Sequence, residues 1–267
     1  MSDLQIIVLA IVQGITEFLP ISSSGHLILV PLVTGWPDQG LAMDVAVHVG
    51  TLGAVMLYLW RDLWRMLVSL IQFRSTDPEL VQARKMILFL IIGTIPVVIA
   101  GLAFKDFFSE ALRSMAVIGW AMLGFGILLY IIDRACPDGR TLDEMQIKGA
   151  LIVGLWQVLA LIPGTSRAGI TMTGARWMGF SRVEAARFSM LLSIPTILAA
   201  GMLLTLDMLE QGGQFGTDAM LAAGLALISA LIAMALMMRW LKTASFTPFV
   251  IYRVVLGVIL ILVSAGQ

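Results

Sequence analysis

Four stretches of this chain, 86–104, 114–132, 188–206 and 219–238, contain no Asp, Glu, Lys or Arg. A helix needs about 20 apolar residues to cross a hydrocarbon core of about 30 Å, so each stretch is long enough to span. Stretch 41–60 is interrupted only by Asp44, and an uncharged run at 254–267 can begin near Phe249, which makes six spans. The composition agrees. Of 267 residues, 59% are hydrophobic and 13% charged, against about 25% charged in a soluble domain. Such a chain is neither a water-soluble globule nor disordered. Seventeen basic residues cancel seventeen acidic ones and no basic block exceeds Arg84-Lys85, so nothing suits a nucleic-acid partner. The single cysteine, Cys136, excludes an internal disulfide or a Cys-based zinc site, and the methionines are scattered rather than clustered for a soft metal. The expected fold class is an all-α polytopic membrane protein, one membrane domain over 1–267.

Two further apolar regions, 4–34 and 147–180, are broken near their middles by Pro, Gly, Ser and Thr. Their halves are short for separate spans. Each is read as a re-entrant helical hairpin with its tip at membrane depth, where irregular backbone survives only against protein or water. Two tightly joined short spans are the alternative. Sliding the chain by 144 residues pairs Gln13 with Gln157, Ser22 with Ser166 and Gly25 with Gly169. Repeat 1 then covers about 1–135 and repeat 2 about 145–267, each a broken hairpin followed by three transmembrane helices. Three is odd, so the second half starts from the opposite face. This inverted-topology repeat favours a site at the midplane between the halves.

Basic residues concentrate in alternate loops, including Arg61, Arg65, Arg74, Arg84 and Lys85, then Arg134, Arg140 and Lys148. That places those loops inside and both termini outside, with Lys105 and Arg113 in an outer loop. No cleavable signal is expected, because the first apolar stretch lacks a basic leader and carries Gln13 and Glu17.

The two tips hold the chemistry. In the first, Gln13 and Glu17 are four apart, so on a helix they share a face and can jointly hold a cation or a proton. Pro20 stops that helix, and serines suit the N-cap of the next. Ser22, Ser23, Ser24, the free amides around Gly25 and the imidazole of His26 fall within five residues. Several donors with positive dipole character are what a phosphate needs. A Ser-capped helix with a packed His is the competing reading, but in a bilayer a carboxylate and a histidine flanking a broken helix point to function.

The second tip reads Pro163-Gly164-Thr165-Ser166-Arg167-Ala168-Gly169. Arg167 lies deep, with no carboxylate between Glu144 and Glu184. Its anion is therefore either Glu17 across the interface or a bound ligand. A planar fork that donates two parallel hydrogen bonds favours phosphate, while a purely structural Arg167–Glu17 pair stays open. Asp44 and His48, at i,i+4 on one face of the first full span, either line the cavity or are a satisfied polar pair against neighbouring helices. Arg253 is expected to snorkel to the interface, and Arg176, Arg182 and Arg187 are read as ordinary cytoplasmic-side charges.

The pairing of Glu-Phe-Leu-Pro-Ile-Ser-Ser-Ser-Gly-His (17–26) with Pro-Gly-Thr-Ser-Arg-Ala-Gly (163–169) resembles the bacterial undecaprenyl-diphosphatase, or bacitracin-resistance, family. The likeness covers the whole chain, including Ile194-Pro195. It implies removal of the terminal phosphate from undecaprenyl diphosphate in the bacterial cytoplasmic membrane, regenerating the carrier for peptidoglycan precursors, at a site open to the outer face. It further implies a divalent cation (Mg2+ or Ca2+). By position, the family's acidic pair falls on Gln13 and Glu17, its Ser-Ser/Thr-Gly-His run on Ser23 to His26, and its Pro-Gly-x-Ser-Arg-Ser-Gly motif on Pro163 to Gly169. Ala168 stands where Ser is usual, which removes one hydroxyl. Catalysis is expected of Glu17, His26, Ser23 and Arg167, phosphate binding of Ser22, Ser24, Gly25, Gly164, Thr165 and Ser166, and cation binding of Glu17 with Gln13. His26 is expected to act as nucleophile or general acid, with Ser23 the alternative nucleophile. The partners are a polyprenyl diphosphate lipid and the bilayer, and a homodimer is left open.

A transporter or flippase for an anionic lipid or a small anion is the main rival. An intramembrane serine protease leaves Arg167 unexplained. A type-2 acid phosphatase fails because no His follows Ser166-Arg167 at the needed distance.

Overall fold

The computed structural model describes residues 1–104, 114–210 and 216–266, so Lys105 and Arg113 lie outside the described residues. Among the described residues there are eleven α-helices: α1 (Asp3–Phe18), α2 (Ser23–Thr34), α3 (Gly40–Tyr58), α4 (Trp60–Ile71), α5 (Pro78–Ala103), α6 (Met115–Ala135), α7 (Ile147–Val158), α8 (Arg167–Trp177), α9 (Arg182–Glu210), α10 (Thr217–Leu241) and α11 (Thr247–Ala265). Six of them, α3, α5, α6, α9, α10 and α11, are long and apolar enough to cross a membrane, and each falls on an expected span. The protein is a multi-pass membrane protein.

One element is unanticipated. The loop 61–85 contains α4, whose Trp60, Trp64, Leu67 and Ile71 follow i, i+4, i+7 spacing and are all exposed, while Met66 and Ser69 turn inward. An apolar stripe beside Arg61 and Arg65 suits a helix lying in the membrane interface.

The two broken regions each form a pair of short helices. In the first, Gln5 Nε2 donates to Pro37 O (2.9 Å), so the start of α1 and the end of α2 share one face of the molecule. The chain turns at Leu19–Ser22 with Glu17 beside His48, at the middle of the span Gly40–Tyr58. In the second, α7 begins beside Leu142 and Met145, passes through a 3-10 turn at Leu159–Leu161, and reverses before α8. α8 ends where Arg176 meets Asp133 and Pro137. That end lies with the loops joined by the Arg187–Asp62 pair and by Gln82 Nε2 donating to Leu142 O. The two ends of each hairpin therefore lie on the same side of the molecule as one another. α1 packs on α10, α7 on α5, α6 on α11, and α3 on both α9 and α10. A core that includes Phe18, Met172, Phe188 and Met234 links the hairpins to the spans.

Arg176 and Arg253 correct the sequence reading. Arg176 is fully buried rather than a solvated charge. Its guanidinium donates to Asp133 Oδ1 (3.0 Å) and to the carbonyls of Phe180 and Pro137, and Arg182 joins the same carboxylate at 2.8 Å. Arg187 pairs with Asp62. A buried guanidinium persists only when its donors are met, and here the stretch 133–138 and Phe180 supply the acceptors. Arg253 does not snorkel. It is fully buried, for a reason that belongs to the site.

Candidate functional site

Ser22 and Ser166 are the non-glycine residues with positive φ among the described residues, at φ 77° and 70°. They are also the pair matched by the 144-residue offset. Each caps the helix after its break: Gly25 N donates to Ser22 Oγ (3.3 Å) and Gly169 N to Ser166 Oγ (3.0 Å). A strained φ at a cap costs about 1–3 kcal/mol and persists where the surroundings dictate it. The serines expected to cap do so, and Ser22, expected to bind phosphate, directs its oxygen to its own helix.

The tips meet. Arg253, from α11, lies between them and donates to Pro20 O (3.3 Å) of the first and to Gly164 O (3.2 Å) and Thr165 O (2.8 Å) of the second. It also reaches the carbonyls of Ala121 (3.4 Å) and Met122 (3.3 Å) in α6. All five acceptors are main-chain oxygens freed where the helices break or left available on α6. Space around the clasp is minimal. A Cβ on Gly169 would stand 2.9 Å from Arg253 Nη1, and one on Gly164, at φ +92°, would stand 2.6 Å from Ile118 O. Both tip glycines are thus required by close approach.

Across this junction Arg167 Nη2 donates to Glu17 Oε1 at 2.7 Å, while Nη1 reaches Ser189 O at 3.3 Å. Glu17 is 7% exposed and Arg167 13%. The anion demanded by the deep guanidinium comes from the other hairpin. The second carboxylate oxygen, Oε2, accepts from Ser23 Oγ (2.6 Å) and Gln13 Nε2 (2.9 Å), with His48 Nε2 at 4.0 Å. Glu17 thus gathers α1, α2, α3 and α8 around a single carboxylate. His48 Nδ1 is occupied by Asp44 O at 2.7 Å, so the i,i+4 pair meets through the backbone while its ring turns toward Glu17.

His26 lies one turn beyond Ser22. Its Nδ1 donates to Ser22 O (2.6 Å), which leaves Nε2 to accept from the Tyr252 hydroxyl (2.6 Å), and the two rings stack at 5.7 Å. Sequence reasoning missed Tyr252, Ser189 and Thr171. The Ser189 and Thr171 hydroxyls are 2.7 Å apart beneath Arg167. Tyr252 carries no sequence signal beyond sitting beside Arg253. Ser24 is exposed and within 3.4 Å of Ser22 Oγ.

Three buried side-chain polar atoms lack a hydrogen-bond partner among the described residues, and two belong to the tip region: Gln13 Oε1 and Thr165 Oγ1. Such atoms cost about 1–3 kcal/mol each when left unmet. A carboxylate with a free amide oxygen beside it is a hard-oxygen set, and Mg2+ is commonly held by one or two carboxylates plus substrate phosphates. Gln13 Oε1 is thus a free hard oxygen near Glu17, but Gln13 faces the carboxylate through Nε2 and both Glu17 oxygens are bonded. The pair would take a divalent cation only by exchanging those bonds for it. No group of three or more His, Cys, Asp or Glu that could hold a metal occurs among the described residues.

Residues 6–259 match the family described as bacitracin resistance protein BacA. The chain is 53% identical to the undecaprenyl-diphosphatase of Ruegeria sp. over 266 residues, covering 98% of this chain and 99% of that one. It is 52% identical to the undecaprenyl-diphosphatase of Roseobacter denitrificans, covering 98% of each. Identity to undecaprenyl-diphosphatase 1 of Rhodospirillum rubrum is 47%, over 97% and 94% respectively.

Proposed function

The chain belongs to the bacitracin resistance protein BacA family, and on that premise we propose that it hydrolyses undecaprenyl diphosphate to undecaprenyl phosphate and inorganic phosphate, with Ser23 as the attacking group. The activity regenerates the lipid carrier and accounts for bacitracin resistance. The observation that carries the assignment of roles is the 2.6 Å bond from Ser23 Oγ to Glu17 Oε2, with Arg167 on the other oxygen. A hydroxyl within 2.6–3.2 Å of a carboxylate is the signature of a nucleophile and its base.

Glu17 takes the proton of Ser23 as Oγ bonds to the terminal phosphorus. The anhydride P–O bond breaks and undecaprenyl phosphate leaves. Water then cleaves the phosphoserine, releases inorganic phosphate and restores the hydroxyl. Arg167 turns its fork to the phosphoryl oxygens, where charge stabilisation and positioning dominate phosphoryl transfer. Thr165 Oγ1, unpaired in the free protein, offers one further donor. His26 is held at both ring nitrogens, which supports a proton-carrying and positioning role rather than attack. Gln13 and Glu17 would hold the divalent cation, which when bound supplies neutralising charge for the diphosphate.

The two hairpins entering from opposite faces, with α1 on α10 answering α7 on α5, support an inverted repeat with halves at about 1–135 and 145–267. Basic loops on one face support an orientation with that face cytoplasmic, in the inner membrane, and with the first hairpin opening outward. The test is phosphate release by purified protein. Wild type should be active with undecaprenyl diphosphate, and Ser23→Ala, Glu17→Ala and Arg167→Ala should each lose at least about 100-fold. Lipid binding or translocation without phosphate release would favour transport instead.

A further inference from the structure

His48 has neighbours of two kinds. Its Nε2 faces Glu17, and its ring also lines a cavity of about 300 Å3 between α3 and α9. On α3 the wall continues with Val45, Val49 and Leu52, which with His48 follow i, i+3, i+4, i+7 spacing. On α9 it includes Ile197, Gly201 and Met202, again one face of a helix. The polar lining is His48 and Thr205, and the Thr205 hydroxyl is already bonded to Gly201 O at 2.7 Å. Val49 and Met202 are exposed, so the groove is open along its length. His48 stands between it and the Glu17 carboxylate at mid-height, and Val45 and Leu206 lead from there toward the face where Gln5 meets Pro37.

Resting on the function proposed above, we propose that this groove takes the polyprenyl chain of the substrate, the lipid entering sideways between α3 and α9 and its diphosphate passing His48 to reach Glu17, Ser23 and Arg167. A larger apolar cavity, about 940 Å3, lies along Ile11 and Ile15 of α1, Leu19 just beyond it, and the length of α10 from Leu225 to Trp240. On a helix turning 100° per residue, Ile15 points about 200° away from Glu17. A chain in that cavity would be cut off from the phosphate site by α1 itself. The α3–α9 groove shares His48 with the surroundings of Glu17, and its occupant is covalently joined to the group the site binds. At about 300 Å3 it is at the small end of ligand sites. It grips the isoprene units nearest the diphosphate and leaves the remainder in the bilayer, so affinity rises over the first few units and then flattens.

Gly201 makes the idea testable, because a Cβ there meets nothing within 4 Å. Gly201→Leu fills the groove without collision in a helix that tolerates Leu better than Gly. The full-length protein in liposomes is assayed for kcat and KM with undecaprenyl diphosphate as wild type, Gly201→Leu, Val49→Trp and, in the other cavity, Ile232→Trp. In parallel, a prenyl diphosphate with a diazirine on its second isoprene unit is photolysed on the wild type. The expected result is a KM raised about tenfold by Gly201→Leu and Val49→Trp with kcat little changed. Ile232→Trp should leave both constants alone, and labelled peptides should contain residues 45–52 and 197–206. Unchanged KM in folded Gly201→Leu and Val49→Trp, or label confined to α1, α10 and α11, overturns the groove. Absence of phosphate release by wild type overturns the functional reading instead, so the two failures are distinguishable.

Discussion

Replacing Arg253 by Met removes the clasp between the tips while keeping an unbranched side chain. Five hydrogen bonds are lost, to Pro20, Ala121, Met122, Gly164 and Thr165. Side-chain hydrogen bonds between membrane helices average about 0.6 kcal/mol, so the five together come to about 3 kcal/mol. At about 2–4 °C per kcal/mol for a chain of this size, Arg253→Met should lower the melting temperature by about 6–12 °C. Function should suffer more. With the tips no longer tied, Arg167 drifts from Glu17, and a displacement of about 1 Å can cost about 100-fold in rate. Arg176→Met is the control, because it empties an equally buried clasp at the distant end of α8. The pair is compared by thermal unfolding in detergent and by phosphate release well below either midpoint. Arg253→Met should lose both stability and kcat, and Arg176→Met mainly stability. Wild-type kcat in Arg253→Met, or an equal loss in Arg176→Met, would show that Arg253 does not align the tips.

Tyr252→Phe keeps the ring stacked on His26 and frees Nε2. Loss of a positioning bond should lower kcat about tenfold with KM little changed, whereas an increase in kcat would identify His26 as the attacking group. Thr165→Val removes a buried hydroxyl that bonds to nothing in the free protein. Its melting temperature should equal or exceed that of wild type while KM rises several-fold, as read from paired melting and kinetic curves. Chelation of divalent cations should abolish phosphate release, and Gln13→Leu should raise the cation concentration needed for half-activity about tenfold, while Gln13→Glu should lower it. An unchanged cation requirement in both variants would remove Gln13 from the site.

The spans and both breaks were legible because burying charge or open backbone in hydrocarbon is so unfavourable that the sequence must declare it. Arg167 was legible for the same reason: a deep guanidinium without a local carboxylate demanded a partner, and Glu17, 150 residues away, is that partner. Arg253 was misread because its acceptors are main-chain carbonyls, which no residue type announces. Arg176 misled for a related reason, since its carboxylate, Asp133, and most of the carbonyls that satisfy it lie some 40 residues earlier in the chain. The His26–Tyr252 bond joins residues 226 apart, and a tyrosine in an apolar span looks like any other. The helix α4 was hidden because basic residues marked its segment as a loop, although Trp60, Trp64, Leu67 and Ile71 already carried a helical stripe.

The position of Arg253 has a consequence for biosynthesis. Both sequence motifs have left the ribosome by residue 169, yet the residue that fastens them together resides in α11 and arrives some 84 residues later. A nascent or truncated chain ending before Thr247 thus carries all of the proposed chemistry without its fastener, and should stay inert toward lipid diphosphates until α11 inserts.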